Sequence, residues 1–251
     1  MNDRLLRRLS DMGLYLADLE DTLGLLGLGS VGVELDRLDQ YSDLDFFLIV
    51  KKGSKSKYLD SLFWLNDVCP LVYAFRNTVD GYKILFSDGI YGEFAVFEED
   101  EMDNISYSEG RWIFKKPQCD VSNVQSKPFE PVYSDDIDYA INELITNLLV
   151  GLQRYHRGEK LAAQRLIEVH ALNRLLSVLP KIYVEKPVHA DKYNVERRIE
   201  FRFPAIAKKL PLFVQGIENL PASASHLLDF TVAHFAVNEA MVTEIRKYLV
   251  M

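Results

Sequence analysis

Gly29 to Val50 reads GSVGVELDRLDQYSDLDFFLIV, and the rest of the chain is organised around it. It begins with Gly-Ser at the end of an apolar run. Two acids one residue apart, Asp43 and Asp45, then lead into Phe46 to Val50. In a strand, residues i and i+2 share a face. Asp43, Asp45, Phe47 and Ile49 therefore fall on one side, and Leu44, Phe46, Leu48 and Val50 on the other. Two carboxylates on one face repel each other and resist desolvation, and a divalent cation relieves both problems. Mg²⁺ takes oxygen ligands and is commonly held by one or two carboxylates plus substrate phosphates. A solvated strand mouth is the other reading of the pair. Upstream, Gly29 lets a phosphate approach the backbone closely, and the Ser30 hydroxyl and nearby amides can bond its oxygens. A Gly-Ser at a strand end is also common in plain turns.

The 251 residues suit one large domain or two modest ones. Apolar residues make up 48% and charged residues 26%, as in ordinary globular chains, so a core is affordable without disulfides. Cys69 and Cys119 are too few for a zinc site or a disulfide framework, and a reducing, cytoplasmic setting is expected. Neither a signal peptide nor a membrane-spanning stretch is read. Residues 1–130 carry a net −9 and residues 131–251 a net +1. A polynucleotide partner needs a basic face, so nucleic acid is disfavoured and a small neutral or cationic substrate fits better.

Outward from the opening stretch, residues 3–20 have helical spacing, and Gly24 to Gly29 reads as a buried strand. Residues 31–41 read as a loop with one helical turn, and 58–66 as a short helix. Strands follow over Val68 to Arg76, Tyr82 to Phe86 and Ile90 to Phe97. Asp88-Gly89 marks a hairpin that makes the last two antiparallel neighbours. The acidic run 98–103 (EEDEMD) is either a lure for a polycation or, more ordinarily, a helix start. Trp112 to Phe114 adds an edge strand. Residues 116–134, rich in proline and small polar residues, form a linker between a domain over 1–115 and a helical domain over 135–251. That second domain is expected to hold helices over 135–156 and 159–179, a turn at Arg157-Gly158, shorter helical material over Val195 to Leu210, and one long helix over 222–249. The fold class is α+β: a mixed sheet followed by an all-helical bundle.

Glu93 is the one charged residue between Ile90 and Phe97. If its strand lies beside that of Asp43 and Asp45, three carboxylates converge and suit two-metal chemistry. Glu93 is then either a third ligand or the general base. Tyr73, Phe75, Tyr91, Phe94 and Phe97 either line an acceptor pocket or belong to the core. The histidines His156, His170, His189, His226 and His234 follow no metal-binding spacing and read as structural or exposed.

These pieces resemble the nucleotidyltransferase signature of the DNA polymerase β superfamily, and most of all the lincosamide and other small antibiotic nucleotidyltransferases. The likeness is densest over Gly29-Ser30, Asp39 to Phe47, Asn66 to Phe75 and Gly92-Glu93-Phe94. It implies Asp43 and Asp45 as metal ligands for two Mg²⁺ ions (or Mn²⁺), Glu93 as base or third ligand, and Ser30 on the triphosphate. It further implies ATP or another nucleoside triphosphate as donor, a small hydroxylated acceptor such as an antibiotic bound between the domains, and a homodimer. A regulatory or non-catalytic protein on the same fold, antitoxin-like or a pseudoenzyme, is the rival. Val195 to Pro204, VERRIEFRFP, departs from the pattern. Its arginines either reach an anionic substrate or pair locally with Glu196 and Glu200.

Overall fold

The computed structural model describes residues 3–105, 107, 109–121, 133–188 and 194–251. The chain divides into two compact units, Met1–Pro128 and Phe129–Met251. Most of the linker expected over 116–134, and His189, lie outside the described residues.

The first unit opens with helix α1 (Asp3–Ala17), whose Leu9, Met12 and Leu16 are buried at the spacing of one helical face. Strand β1 (Thr22–Gly27) follows, then β2 (Leu44–Val50), with two short 3₁₀ turns over Gly29–Val31 and Leu35–Arg37 between them. Two helices occupy the stretch read as one: α2 (Lys55–Asp60) and α3 (Phe63–Asn66), separated by Ser61 in extended backbone. Asn66 closes the latter by accepting from the Leu71 amide at 3.0 Å, which starts β3 (Leu71–Arg76). Strands β4 (Gly81–Phe86) and β5 (Tyr91–Glu98) form the hairpin expected at Asp88-Gly89, and β6 (Arg111–Lys115) completes the sheet.

The six strands run in the order β3-β4-β5-β2-β1-β6. The β2–β5 pair is parallel and the other four are antiparallel, so the sheet is mixed as expected. The alternation read in β2 is present. Leu44, Phe46, Leu48 and Val50 enter the larger core with α1 and Trp64, where Phe46 stacks on Phe94 at 5.4 Å. Ile49 and Phe47 enter a smaller core on the opposite face, with Phe97 and Tyr107 around Phe47. Each fully buried large apolar side chain of this kind contributes about 1.5–3 kcal/mol. The acidic run is a 3₁₀ helix, Glu99–Asn104, closed by a capping box between Glu98 and Glu101. Lys52 pairs with Asp100 at 2.9 Å and Lys55 with Glu101 at 2.7 Å, so these acids are engaged locally.

The second unit is all helical. It holds α4 (Ile137–His156), α5 (Lys160–Gln164), a π-helical segment Arg165–Ala171, and α6 (Leu172–Ser177). Gly158, at φ +82, makes the turn into α5. Three one-turn helices follow: α7 (Ile199–Arg202), α8 (Pro204–Ala207) and α9 (Leu210–Phe213). The long helix expected over 222–249 is two, α10 (Leu220–His234) and α11 (Glu239–Leu249). Phe235 is extended, and Asn238 caps the second helix by accepting from the Met241 amide at 3.1 Å.

The local Arg–Glu pairing expected for VERRIEFRFP is corrected at Arg202. That side chain is fully buried and its Nε donates to Glu185 at 2.7 Å. Its Nη1 reaches the carbonyls of Val195 and Arg197, so Arg202 pins this segment from inside. His156 and His234 bond the carbonyls of Tyr248 and Phe230, a structural use. Among the described residues, no helix is long and apolar enough to cross a membrane.

Candidate active site

The sheet register builds the site. Asp45 on β2 lies opposite Glu93 on β5, Glu93 lies opposite Lys83 on β4, and Lys83 lies opposite Phe75 on β3. Directly opposed residues share a face, so one row crosses four strands: Asp45, Glu93, Lys83, Phe75. Two residues along the strands, Tyr73, Leu85 and Tyr91 form a second row on that face. The condition set for Glu93, a strand adjacent to that of Asp45, is met.

Gly92 makes this adjacency possible. A side chain there would begin 2.6 Å from the Leu44 carbonyl oxygen and 3.0 Å from Leu44 Cβ. Gly92→Ala is expected to force β2 and β5 apart, cost about 1–3 kcal/mol in a thermal melt, and lower turnover along with stability. Unchanged stability and activity would refute this role.

The Gly-Ser pair forms the turn where β1 ends. The Leu28 amide bonds the Asp45 carbonyl at 2.8 Å, which fixes the turn to the mouth of β2. Gly29 has φ +52, a left-handed conformation that disfavours other residues. A side chain on Gly29 would begin 2.9 Å from Arg37 Nη2 and 3.9 Å from Asp45 Oδ2. Arg37 itself pairs with Glu34. Gly29, Ser30 and Val31 are all buried in this turn. Arg111, from β6, donates to the Val31 carbonyl at 2.9 Å and the Gly32 carbonyl at 3.0 Å. The loop is therefore held through its carbonyl oxygens.

Glu93 Oε1 is shared by the Lys83 ammonium and the Tyr91 hydroxyl, both at 2.9 Å. The hydrogen bond and charge of Glu93 raise the Lys83 pKa, with Tyr91 and Tyr73 adding to it. Partial burial, then Glu93, raise the Tyr91 hydroxyl, and Asp43 contributes in the same direction. Asp43, half-buried, immediately precedes β2. Among the described residues, no group of three or more His, Cys, Asp or Glu side chains is gathered for a metal ion. The three carboxylates read from the sequence occupy one end of the sheet, with Glu93 turned onto Lys83.

The donor set still suits a hard divalent cation, because Asp43, Asp45 and Glu93 offer carboxylate oxygens alone.

The aromatics divide cleanly. Phe94 and Phe97 are core residues, whereas Tyr73 and Phe75 are each 52% exposed and Tyr91 is 37% exposed. Lys83, Arg37 and Arg111 lie at the candidate site but are not among the residues picked out by the sequence reading. Lys83 had a signal: it lies five residues before Asp88 and Glu93 five after, so the hairpin turn pairs them. Arg37 and Arg111 depend on loop and edge-strand placement that no spacing reveals.

The solved structures to which the chain is similar include these two. One is an aminoglycoside 6-adenyltransferase from Bacillus subtilis, at 14% identity over 96% of this chain and 90% of that chain, with a TM-score of 0.37. The other is a STING-associated CdnE c-di-GMP synthase from Capnocytophaga granulosa, at 12% identity over 99% of this chain and 79% of that chain, with a TM-score of 0.30. No family model and no curated protein matches the sequence.

Proposed function

We propose that the chain is a metal-dependent nucleotidyltransferase. It moves a nucleoside monophosphate from a nucleoside triphosphate, ATP by preference, to a hydroxyl of a small molecule and releases pyrophosphate. The observation that carries this reading is the row joining Asp45 to Glu93 across parallel strands, next to the Gly29–Ser30 turn.

Asp43 and Asp45 would hold Mg²⁺ or Mn²⁺, with Glu93 as third ligand or base. The bound metal supplies charge neutralisation on the triphosphate and lowers the pKa of the attacking hydroxyl. Gly29 and Ser30 form the phosphate side of the site. The acceptor oxygen bonds to the α-phosphorus as the bond to the pyrophosphate oxygen breaks, and Glu93 takes the hydroxyl proton when it serves as base. The acceptor then lies beyond Glu93, over Lys83, Tyr91, Tyr73 and Phe75, whose exposed rings offer stacking and cation–π contacts. Phe75→Ala is expected to raise the acceptor KM about five- to tenfold with kcat little changed, the pattern of lost uniform binding. A fall in kcat at constant KM would place the acceptor elsewhere.

The test is pyrophosphate release with Mg²⁺, using the four ribonucleoside triphosphates against lincosamides, aminoglycosides and a panel of hydroxylated metabolites. Release with at least one pair, lost in Asp45→Asn, supports the reading. Silence across the panel, with a stable protein partner copurifying, would replace it with a binding role.

A further inference from the structure

The helical unit contains a cavity of about 380 Å³, lined by Glu143, Asn147, His170, Asn173, Arg174, Ser177 and Val195. This lies within the roughly 300–1,000 Å³ range of small-molecule pockets. Its walls are two ridges. Glu143 and Asn147 stand one turn apart on α4. His170, Asn173, Arg174 and Ser177 run along the π segment and α6. π-Helical turns of this kind are rare and concentrate at functional sites.

Asn173 Oδ1 is buried and has no hydrogen-bond partner among the described residues. A buried acceptor left in this state is costly, and the cost is relieved when a donor arrives. Glu143 and Arg174 face each other at 3.8 Å, longer than a hydrogen bond, so a hydroxyl can accept from the guanidinium and donate to the carboxylate. The Asn147 amide nitrogen is engaged with the Glu143 carbonyl at 2.7 Å, and its oxygen has no partner among the described residues. Ser177 donates to the Arg174 carbonyl at 2.8 Å, leaving its oxygen as an acceptor.

These groups select a ligand class. An anion meets Glu143 and cannot donate to Asn173. A plain cation meets Arg174. An apolar molecule finds a single apolar wall, Val195. A molecule dense in hydroxyls, each both donor and acceptor, matches every group. We propose that this cavity is a binding site for a small polyhydroxylated molecule of one or two rings, recognised by Asn173, Glu143 and Arg174. The site stands independently of the nucleotidyl-transfer reading.

The experiment is isothermal titration of the full chain, without nucleotide or metal, using methyl α-glucoside, glucosamine, myo-inositol and sucrose as probes. At least one probe is expected to bind with a Kd of about 1 mM or tighter. Asn173→Leu and Glu143→Gln should each weaken that binding about tenfold, the effect of one well-placed hydrogen bond to a polar or charged group. Asp45→Asn, in the other compact unit, should bind as the unaltered chain does. If Asn173→Leu melts early, Glu143→Gln on the half-buried wall carries the test. No heat from any probe, binding undiminished in Glu143→Gln, or binding lost in Asp45→Asn would each overturn the proposal.

Discussion

Asp45→Asn should leave the protein folded and reduce nucleotidyl transfer by about a thousandfold or more. The side chain is half-buried at the mouth of β2, while the core is carried by Leu44, Phe46, Leu48 and Val50 on the opposite face. Asparagine has the same shape, so the strand keeps its packing and the Leu28 amide keeps its bond to the residue 45 carbonyl. What is lost is a negative charge and, on the proposed reading, an oxygen that would hold the metal. A stabilisation of about 4 kcal/mol at the transition state corresponds to about a thousandfold in rate, and metal chemistry at a phosphoryl centre supplies several kcal/mol. The thermal midpoint should move by no more than a few degrees, since a surface-proximal change away from the core costs about 0.5 kcal/mol. Pyrophosphate release at saturating Mg²⁺ and a circular-dichroism melt measure the two halves. Full turnover in the variant would remove Asp45 from the chemistry.

The companion Glu93→Gln separates the two roles open to that residue. Loss of a general base lowers kcat and removes the acid limb of its pH profile. Loss of a ligand raises the Mg²⁺ concentration needed for half-maximal rate. In either case the Lys83 ammonium loses the carboxylate that raises its pKa.

The parts legible in the sequence were those set by local geometry. Strand parity assigned the two faces of β2 because the pleat has a period of two. The Asp88-Gly89 turn placed β4 against β5, and with it Lys83 against Glu93. What the sequence could not show was which strand neighbours β2. The parallel β2–β5 pairing spans more than forty residues and fixes the Asp45–Glu93 row. In the helical unit, apolar periodicity runs through Phe235 to Asn238, so two helices read as one; the Asn238-Glu239 pair was the cap signal that broke them. Neither reading of Arg202, a contact to an anionic substrate or a pair with Glu196 or Glu200, anticipates its partner, because Glu185 lies 17 residues upstream.

The π segment was equally hidden, and its origin leads to the largest expected effect on stability. Glu168 lies within Arg165–Ala171 and is only 5% exposed. One carboxyl oxygen accepts from the Gln215 amide at 2.8 Å, the Gly216 amide at 2.9 Å and the Ser223 hydroxyl at 2.8 Å. The other accepts from Gln164 Nε2 at 3.0 Å. One side chain thus joins the π segment, the turn after α9 and the first turns of α10. A wider helical turn re-aims the residues it carries, and inward aim is what these donors demand of Glu168. Glu168→Ala would leave the Gly216 amide and the Ser223 hydroxyl without their acceptor, and the Gln215 amide with Ser223 Oγ alone, at 3.1 Å. At about 1–3 kcal/mol for each orphaned buried group, partly relieved by water, a total near 4 kcal/mol is expected. That is a large share of the 5–15 kcal/mol typical of a whole domain, so the helical unit should melt early or fail to fold. Glu168→Gln retains one acceptor oxygen at the same place and should cost about 1–2 kcal/mol. Denaturant unfolding followed by far-ultraviolet circular dichroism distinguishes the two variants. Equal losses would mean that volume, rather than the acceptor, holds this junction together.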